Sequence, residues 1–168
     1  MKLSELNQNS DGDFVDALGA IFEHSPWVAE AVVSSRPFAS VEQLHQLMSN
    51  SVDAASNELQ LALIKAHPDL AGKAALSGDL TDESTSEQAG AGLDRLSAEE
   101  YETFHSLNDA YQSKFGFPFI IAVKGHDRHS ILDAFRKRLE NDSEAEKQTA
   151  LKQIYRIAKF RLEGLITT

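Results

Sequence analysis

Cysteine is absent from this chain of 168 residues, and basic residues are few compared with acidic ones. Without cysteine there can be no disulfide, no thiolate nucleophile and no cysteine-ligated zinc or iron–sulfur site. The 16 Lys and Arg residues against 26 Asp and Glu residues give a formal net charge of -10. Such a surface repels phosphate groups, so we expect neither a nucleic acid nor a membrane as partner.

Long hydrophobic runs are also missing. The longest, Phe117 to Val123, is far shorter than the roughly 20 residues of a membrane helix, and the first residues do not resemble a signal peptide. The last three residues do not form a peroxisomal Ser-Lys-Leu signal. We therefore expect a cytoplasmic protein. The hydrophobic content of 42% and the charged content of 25% are typical of a globular domain.

Apolar residues recur at helical spacing along most of the chain, which predicts amphipathic α-helices. One such stripe consists of Phe14, Ala17, Leu18, Ile21 and Phe22. Only the run from Phe117 to Val123 has strand character, and a single strand cannot form a sheet. The pattern predicts an all-α fold, namely an irregular single-domain bundle of seven or eight helices over residues 1–168. We expect one extended buried segment near 117–123.

Several helix ends carry recognisable signals. Ser97 with Glu100 has the spacing of a capping box, and Ser143 with Glu146 has the same spacing. We expect Asp11 or Asp13 to cap the first long helix, and Gly116 to end the helix that starts near Ser97. Residues 72–86 are small and polar, which predicts a loop leading to a helix that begins between Asp82 and Ser86.

Chemistry is most plausible where the helical pattern breaks, and the first break is His67-Pro68-Asp69-Leu70-Ala71-Gly72-Lys73. Pro68 stops the preceding helix and gives His67 a defined direction. Histidine can hold or release a proton near neutral pH, so His67 is a candidate acid or base. The alternative is a histidine that caps helix carbonyls.

The second break is the segment from Ser84 to Gly92, where hydroxyl groups and a carboxylate cluster at a predicted helix start. Unpaired amides at such a start attract anions. The alternative is ordinary capping, because Ser84 with Glu87 has capping-box spacing. Gly90-Ala91-Gly92 is not a dinucleotide fingerprint, since no strand precedes it and the third glycine is missing.

The third break is the Phe117–Val123 run itself. An extended segment cannot satisfy its own amides and carbonyls, so a small polar heterocycle could bind them. The alternative is a hydrophobic connector that only packs. His126 and His129 are spaced to hold a metal on one helical turn, but two exposed histidines are the commoner case. Arg161 is suited to grip a carboxylate through two parallel hydrogen bonds, unless it is simply solvated.

Together, three segments resemble the signatures of one family, the OHCU decarboxylases, which act on 2-oxo-4-hydroxy-4-carboxy-5-ureidoimidazoline. The matching runs are His67-Pro68-Asp69-Leu70-Ala71-Gly72-Lys73, Ser86-Glu87-Gln88-Ala89-Gly90-Ala91-Gly92-Leu93 and Phe115-Gly116-Phe117-Pro118-Phe119-Ile120-Ile121-Ala122-Val123. The resemblance covers essentially the whole chain. It implies an all-α enzyme without cofactor or metal that performs the last step from urate to (S)-allantoin. It also suggests a homodimer, although we find no self-complementary seam in the sequence.

The resemblance further implies roles for individual residues. His67 would be the proton donor, and Glu87 would be the partner that orients it and favours its protonated form. The substrate contacts would come from Pro68, Ser84, Thr85, Ser86, Glu87 and Gln88, from the backbone of Phe119, Ile120, Ile121, Ala122 and Val123, and from Arg161.

Two other function classes compete with this interpretation. A helical interaction module would use the three segments for packing only and would show an exposed apolar patch. A metal-dependent hydrolase would use His67 with Asp69, or His126 with His129. Chelator sensitivity would separate that enzyme from a decarboxylase.

Overall fold

The computed structural model describes residues 1–72 and 78–167, and this part of the chain contains nine α-helices and no strand. The helices are α1 (Leu3–Gln8), α2 (Asp11–Leu18), α3 (Trp27–Val32), α4 (Val41–Asp53), α5 (Asn57–Lys65), α6 (Asp82–Gly90), α7 (Ala98–Phe115), α8 (Arg128–Arg138) and α9 (Ser143–Leu165). A short 3-10 helix, Val33–Ser35, follows α3. The predicted all-α class is confirmed. The additional helix is α1, which buries Leu6 alone and so has no periodic apolar stripe.

Contacts divide the chain into two compact units. The first unit comprises residues 1–66 and 154–168, and the second comprises residues 67–153. The single-domain organisation over 1–168 stays a prediction. Across the part of the chain that the structure describes, none of the helices combines the length and apolar character that a bilayer crossing requires.

The first unit is built around α2, α3 and α4. Its fully buried side chains include Phe14, Val28, Leu44 and Met48. Ser10 caps α2 by accepting a hydrogen bond from the Asp13 amide at 3.1 Å, so the expected Asp11 or Asp13 cap was wrong by one residue or more. The two ends of the chain pair within this unit. The Thr167 amide donates to the Met1 carbonyl at 2.8 Å, and Lys2 forms a parallel bridge with Thr167.

The second unit has an aromatic core between α7, α8 and the connector that joins them. Tyr111 on α7 packs edge-on against Phe119 and Phe135, with ring centroids 5.4 Å and 5.9 Å away. Phe119 stacks on Phe135 at 3.8 Å. Every residue from Phe117 to Val123 is buried and none is in a helix or strand, as predicted.

The predicted helix starts were partly right. Ser97 and Glu100 form a reciprocal capping box on α7. The last helix is instead capped by Asp142, whose carboxylate accepts from the Ala145 amide at 2.8 Å. Glu146, the expected capping partner of Ser143, has no exposed surface and contacts side chains far away in sequence.

The start of α6 lies where the sequence predicted it, between Asp82 and Ser86. Its cap is Thr81, whose hydroxyl accepts from the Ser84 amide at 3.2 Å. The capping alternative for Ser84 with Glu87 is therefore wrong. Residues 73–77 of the predicted loop, including Lys73 of the first motif, lie outside the described residues.

Replacing Gly116 should test the turn that leads from α7 into the buried connector. Gly116 has φ +76°, in the left-handed region, and an added Cβ would meet no atom within 4 Å. Gly116→Ala should therefore lower the free energy of unfolding by about 1 kcal/mol through backbone strain alone, measured by urea denaturation. Gly12→Ala, in an equally open position on α2, should be neutral or stabilising. Equal effects of the two substitutions would contradict this assignment.

Candidate functional site

His67 lies where α5 has just ended. The helix stops at Lys65, and the Ala66 amide bonds to the carbonyls of Ala62 and Leu63. His67 is only 7% exposed, in contrast to the solvated position that a simple surface histidine would have. Pro68 follows it directly, so the chain leaves the helix at a fixed angle.

The turn after His67 is held by two amide side chains. Gln88 on α6 donates to the Asp69 carbonyl at 3.3 Å, and its oxygen accepts from the Ala71 amide at 3.0 Å. Asn108 on α7 donates to the Leu70 carbonyl at 2.9 Å. The turn therefore has a fixed position relative to both helices.

The predicted substrate-binding residues on α6 fall into two groups. Ser84 and Gln88 lie one turn apart on its buried face, and Glu87 beside them is half-buried. Thr85 and Ser86 are exposed, and the Thr85 hydroxyl donates to the Thr81 carbonyl at 2.9 Å. Since Gln88 binds the turn two to four residues beyond His67, the α6 face that carries Ser84 packs beside this turn.

Helix α7 brings the connector close to the same turn. Asn108 bonds to the turn after His67, and Tyr111, three residues later, packs against Phe117 and Phe119. Residues three apart on a helix are neighbours on one face, separated by about 4.5 Å along the axis. The turn and the connector thus lie side by side on α7.

The backbone around Ile121 is held in an unusual way. Arg138 donates to the Ile120 carbonyl, and the Ala122 amide donates to the Gln153 side-chain oxygen at 3.0 Å. Within the described residues, the N–H and C=O of Ile121 have no hydrogen-bond partner. Buried backbone groups are normally paired, so this donor and acceptor are available to a ligand.

Glu146 joins this arrangement from the start of α9. One carboxylate oxygen accepts from Arg138 Nε at 2.5 Å and from the Tyr111 hydroxyl at 2.6 Å. The other oxygen accepts from Asn141 at 3.1 Å. Burial and the adjacent Glu146 carboxylate raise the pKa of Tyr111, so its hydroxyl stays a donor. Sequence reasoning missed Arg138, Glu146 and Gln153, because their bonds to Ile120, Tyr111 and Ala122 span 18 to 35 residues.

Arg161 is placed in the first unit, not in the solvated position of the alternative. Its guanidinium nitrogen lies 2.8 Å from a carboxylate oxygen of Glu23, and the two side chains are 5% and 1% exposed. It also donates to the Ala20 carbonyl at 3.1 Å. A role for Arg161 in binding substrate stays a prediction.

The remaining candidates are placed elsewhere. His126 Nδ1 lies 2.9 Å from the Ser130 hydroxyl, and His129 is exposed. Among the residues that the structure describes, His, Asp and Glu side chains nowhere gather in a group of three that could hold a metal ion. A cavity of about 730 Å³ in the second unit is lined by Thr85 and Gln88, but by no other residue predicted for the site.

Comparisons with known proteins agree on one family. A family model described as OHCU decarboxylase matches residues 7–163. A 2-oxo-4-hydroxy-4-carboxy-5-ureidoimidazoline decarboxylase of Haloferax volcanii is 46% identical over 96% of this chain and 94% of its own length. The uric acid degradation bifunctional protein PucL of Bacillus subtilis is 48% identical over 98% of this chain, which corresponds to 33% of that longer protein.

Two solved structures have the same fold. A crystal structure of (S)-allantoin synthase gives a TM-score of 0.81 at 32% identity and covers 100% of this chain and 55% of that one. A crystal structure of OHCU decarboxylase in the presence of (S)-allantoin gives a TM-score of 0.70 at 23% identity, over 94% of this chain and 98% of that one.

Asp69, beside His67 and Pro68, should make stability depend on pH. Burial, followed by the nearby Asp109 carboxylate, raises the pKa of Asp69 above the ordinary value of 3.8, whereas His105 lowers it. The folded state therefore holds this proton more tightly than the unfolded chain, and stability is lost as pH rises through the raised pKa. Asp69→Asn should gain about 0.5 kcal/mol in urea denaturation at pH 7 and nothing at pH 3.

Asp94→Asn is the matched control for this pH dependence, since the Asp94 side chain is 57% exposed. It should give no pH-dependent difference in stability. A gain for Asp69→Asn that is equal at both pH values would contradict the role of its carboxyl group.

Proposed function

The chain belongs to the OHCU decarboxylase family, and we propose that it removes carbon dioxide from 2-oxo-4-hydroxy-4-carboxy-5-ureidoimidazoline to form (S)-allantoin in urate degradation. It is a decarboxylase, that is, a carboxy-lyase. The Bacillus subtilis relative is named for uric acid degradation, which supports this place in metabolism. The proposal gives the enzyme two tasks, namely acceleration and the choice of one product enantiomer.

The observation that carries this assignment is that, among the described residues, the Ile121 N–H and C=O have no hydrogen-bond partner. They belong to the buried connector that lies beside the His67 turn on α7. The substrate ring has a 2-oxo group next to a ring N–H, so an adjacent donor and acceptor can bind these two groups together. The Ile121 N–H and C=O offer both groups and have no partner within the described residues. Binding would satisfy them at the same time as it orients the ring.

The chemistry requires one proton and no electron sink from a cofactor. When the bond to the carboxylate breaks, its electron pair enters the adjacent ring imine, and carbon dioxide leaves. The imine nitrogen then takes up a proton, the carbon that carries the ureido group takes up another from one face, and the 4-hydroxyl group releases one as it becomes the product carbonyl, so the net uptake is one proton. We assign the proton that the carbon takes up to the His67 imidazolium, which becomes neutral and is recharged from solvent. A buried donor fixed at a helix end can deliver a proton to one face only, which gives a single enantiomer.

Glu87 is the proposed partner of His67. Its helix packs beside the turn after His67 through the two hydrogen bonds of Gln88. A carboxylate near an imidazole favours the protonated ring and fixes its orientation. Glu87 is half-buried, so this attraction is less screened than it would be on the surface.

The other predicted contacts complete the proposed binding site. Pro68 lies in the turn directly after His67, and Ser84 and Gln88 lie on the buried face of α6. Thr85 and Ser86 are exposed, so they would contact substrate only at the rim of the site. Arg161 is kept as a proposed substrate contact because of the family resemblance alone. We also propose a cytoplasmic homodimer, which rests on the family and the composition.

His67→Ala should test the proton donor. We expect turnover to fall by about 10²- to 10⁴-fold while the helical circular dichroism stays unchanged. The assay couples urate oxidase and 5-hydroxyisourate hydrolase to this protein and follows the optical activity of the allantoin. His129→Ala replaces an exposed histidine and should have wild-type activity. Near-normal turnover by folded His67→Ala would refute the assignment.

Glu87→Gln should test the orienting carboxylate. The substitution keeps the size of the side chain but removes its charge, so we expect a smaller loss than for His67→Ala. The decline of the rate at alkaline pH should also begin at a lower pH, because the protonated ring has lost its partner. Glu83→Gln on the same helix is exposed and should change neither property. A loss as large as that of His67→Ala would mean that Glu87 takes part directly.

A further inference from the structure

We propose that Arg138 is a positioning residue that orients and polarises the peptide bond between Ile120 and Ile121; the inference rests on the proposed binding of substrate by this backbone. Arg138 is the last residue of α8, and its side chain is 11% exposed. Its guanidinium lies 4.3 Å from the centroid of the Phe119 ring and donates to the Ile120 carbonyl. It therefore holds the connector at two successive residues.

The geometry of a peptide unit passes this constraint on to Ile121. The carbonyl of Ile120 and the N–H of Ile121 belong to one planar unit and point in opposite directions. Likewise, the Ile121 carbonyl belongs to the same peptide unit as the Ala122 N–H, which donates to the Gln153 side chain. Within the described residues, no other backbone N–H or C=O from Phe119 to Val123 forms a hydrogen bond with a side chain. The Ile121 N–H thus points away from Arg138, and the Ile121 C=O points away from the Gln153 side chain.

The charge of Arg138 adds an electronic effect. A hydrogen bond from a cation to a carbonyl is stronger than a neutral one, and it withdraws electron density from the rest of the peptide unit. The Ile121 N–H then becomes a better donor. Such a donor gains most from an oxygen whose negative charge increases as carbon dioxide leaves.

Stability alone does not account for this network. Glu146 has no exposed surface, and removing two charges from water costs as much as their attraction returns, so an apolar pair of similar volume would serve the fold as well. The second terminal nitrogen of Arg138 is also buried without a partner among the described residues, which is a further cost. Arg138 is therefore a buried cation that costs stability, and its bond to the Ile120 carbonyl fixes the Ile121 N–H. This combination favours a functional role for Arg138.

Arg36 in the first unit provides a matched control. It contacts the Asp11 carboxylate, donates to the Asn9 carbonyl and lies 5.0 Å from the centroid of the Phe14 ring. It thus has the same three kinds of partner as Arg138, but none of them belongs to the proposed site. Substitution of either arginine removes the same kinds of contact, and Arg138 should cost more stability because its partner Glu146 is buried whereas Asp11 is 80% exposed. Only Arg138 should affect catalysis.

The kinetic test compares Arg138→Met, Arg138→Lys and Arg36→Met in the coupled assay, with unfolding followed in parallel. Arg138→Met should lower kcat/KM by roughly 10- to 100-fold, with much of the loss in kcat. Arg138→Lys should recover part of it, because an ammonium group can still donate to the Ile120 carbonyl. Arg36→Met should lose stability but keep kcat and KM within about twofold. A folded Arg138→Met that behaves like Arg36→Met would overturn the inference.

Nuclear magnetic resonance of the ligand-free protein tests the same inference without any turnover. The Ile121 amide proton should move upfield in Arg138→Met, move less in Arg138→Lys, and stay in place in Arg36→Met. An unchanged resonance in a folded Arg138 variant would overturn the inference, and if Arg138→Met does not fold, the lysine variant decides. An inactive wild-type protein would instead refute the proposed function, and the Ile121 resonance would still decide the role of Arg138.

Discussion

A buried length of backbone outside helices and strands must take its hydrogen bonds from elsewhere, and the proposed site depends on how this connector meets that requirement. The segment from Phe117 to Val123 is itself in neither a helix nor a strand. Arg138 of α8 binds the Ile120 carbonyl, and Gln153 of α9 binds the Ala122 amide. Within the described residues, the Ile121 groups of the same two peptide units have no partner. The described residues contain no strand whose edge could offer such a donor and acceptor, and two side chains fix this pair in an all-α fold.

Helix α7 holds the His67 turn and the connector in place relative to each other. Its capping box at Ser97 and its left-handed end at Gly116 fix where the helix starts and stops. Between these points, Asn108 and Tyr111 present one face to the His67 turn and to the aromatic connector. The spacing between the His67 turn and the connector is thus set by the helical repeat.

The fold class and most helix bounds could be predicted from the sequence, because spacing and capping are local properties. The same Ser-x-x-Glu pattern nevertheless had two outcomes. At Ser97 it forms a box, whereas Glu146 turns inward to Tyr111, since Asp142 already caps its helix. Nothing within a few residues of Glu146 shows that its partner is 35 residues away. For the same reason the motifs indicated His67 and the connector, but not the side chains that hold them.

The pairing of the chain ends has a consequence for how this unit can be joined to others. The Met1 carbonyl and the Thr167 amide are in direct contact, so both ends leave the first unit at one place. A domain fused at either end would therefore emerge at the same spot, and a short linker could connect the ends for circular permutation.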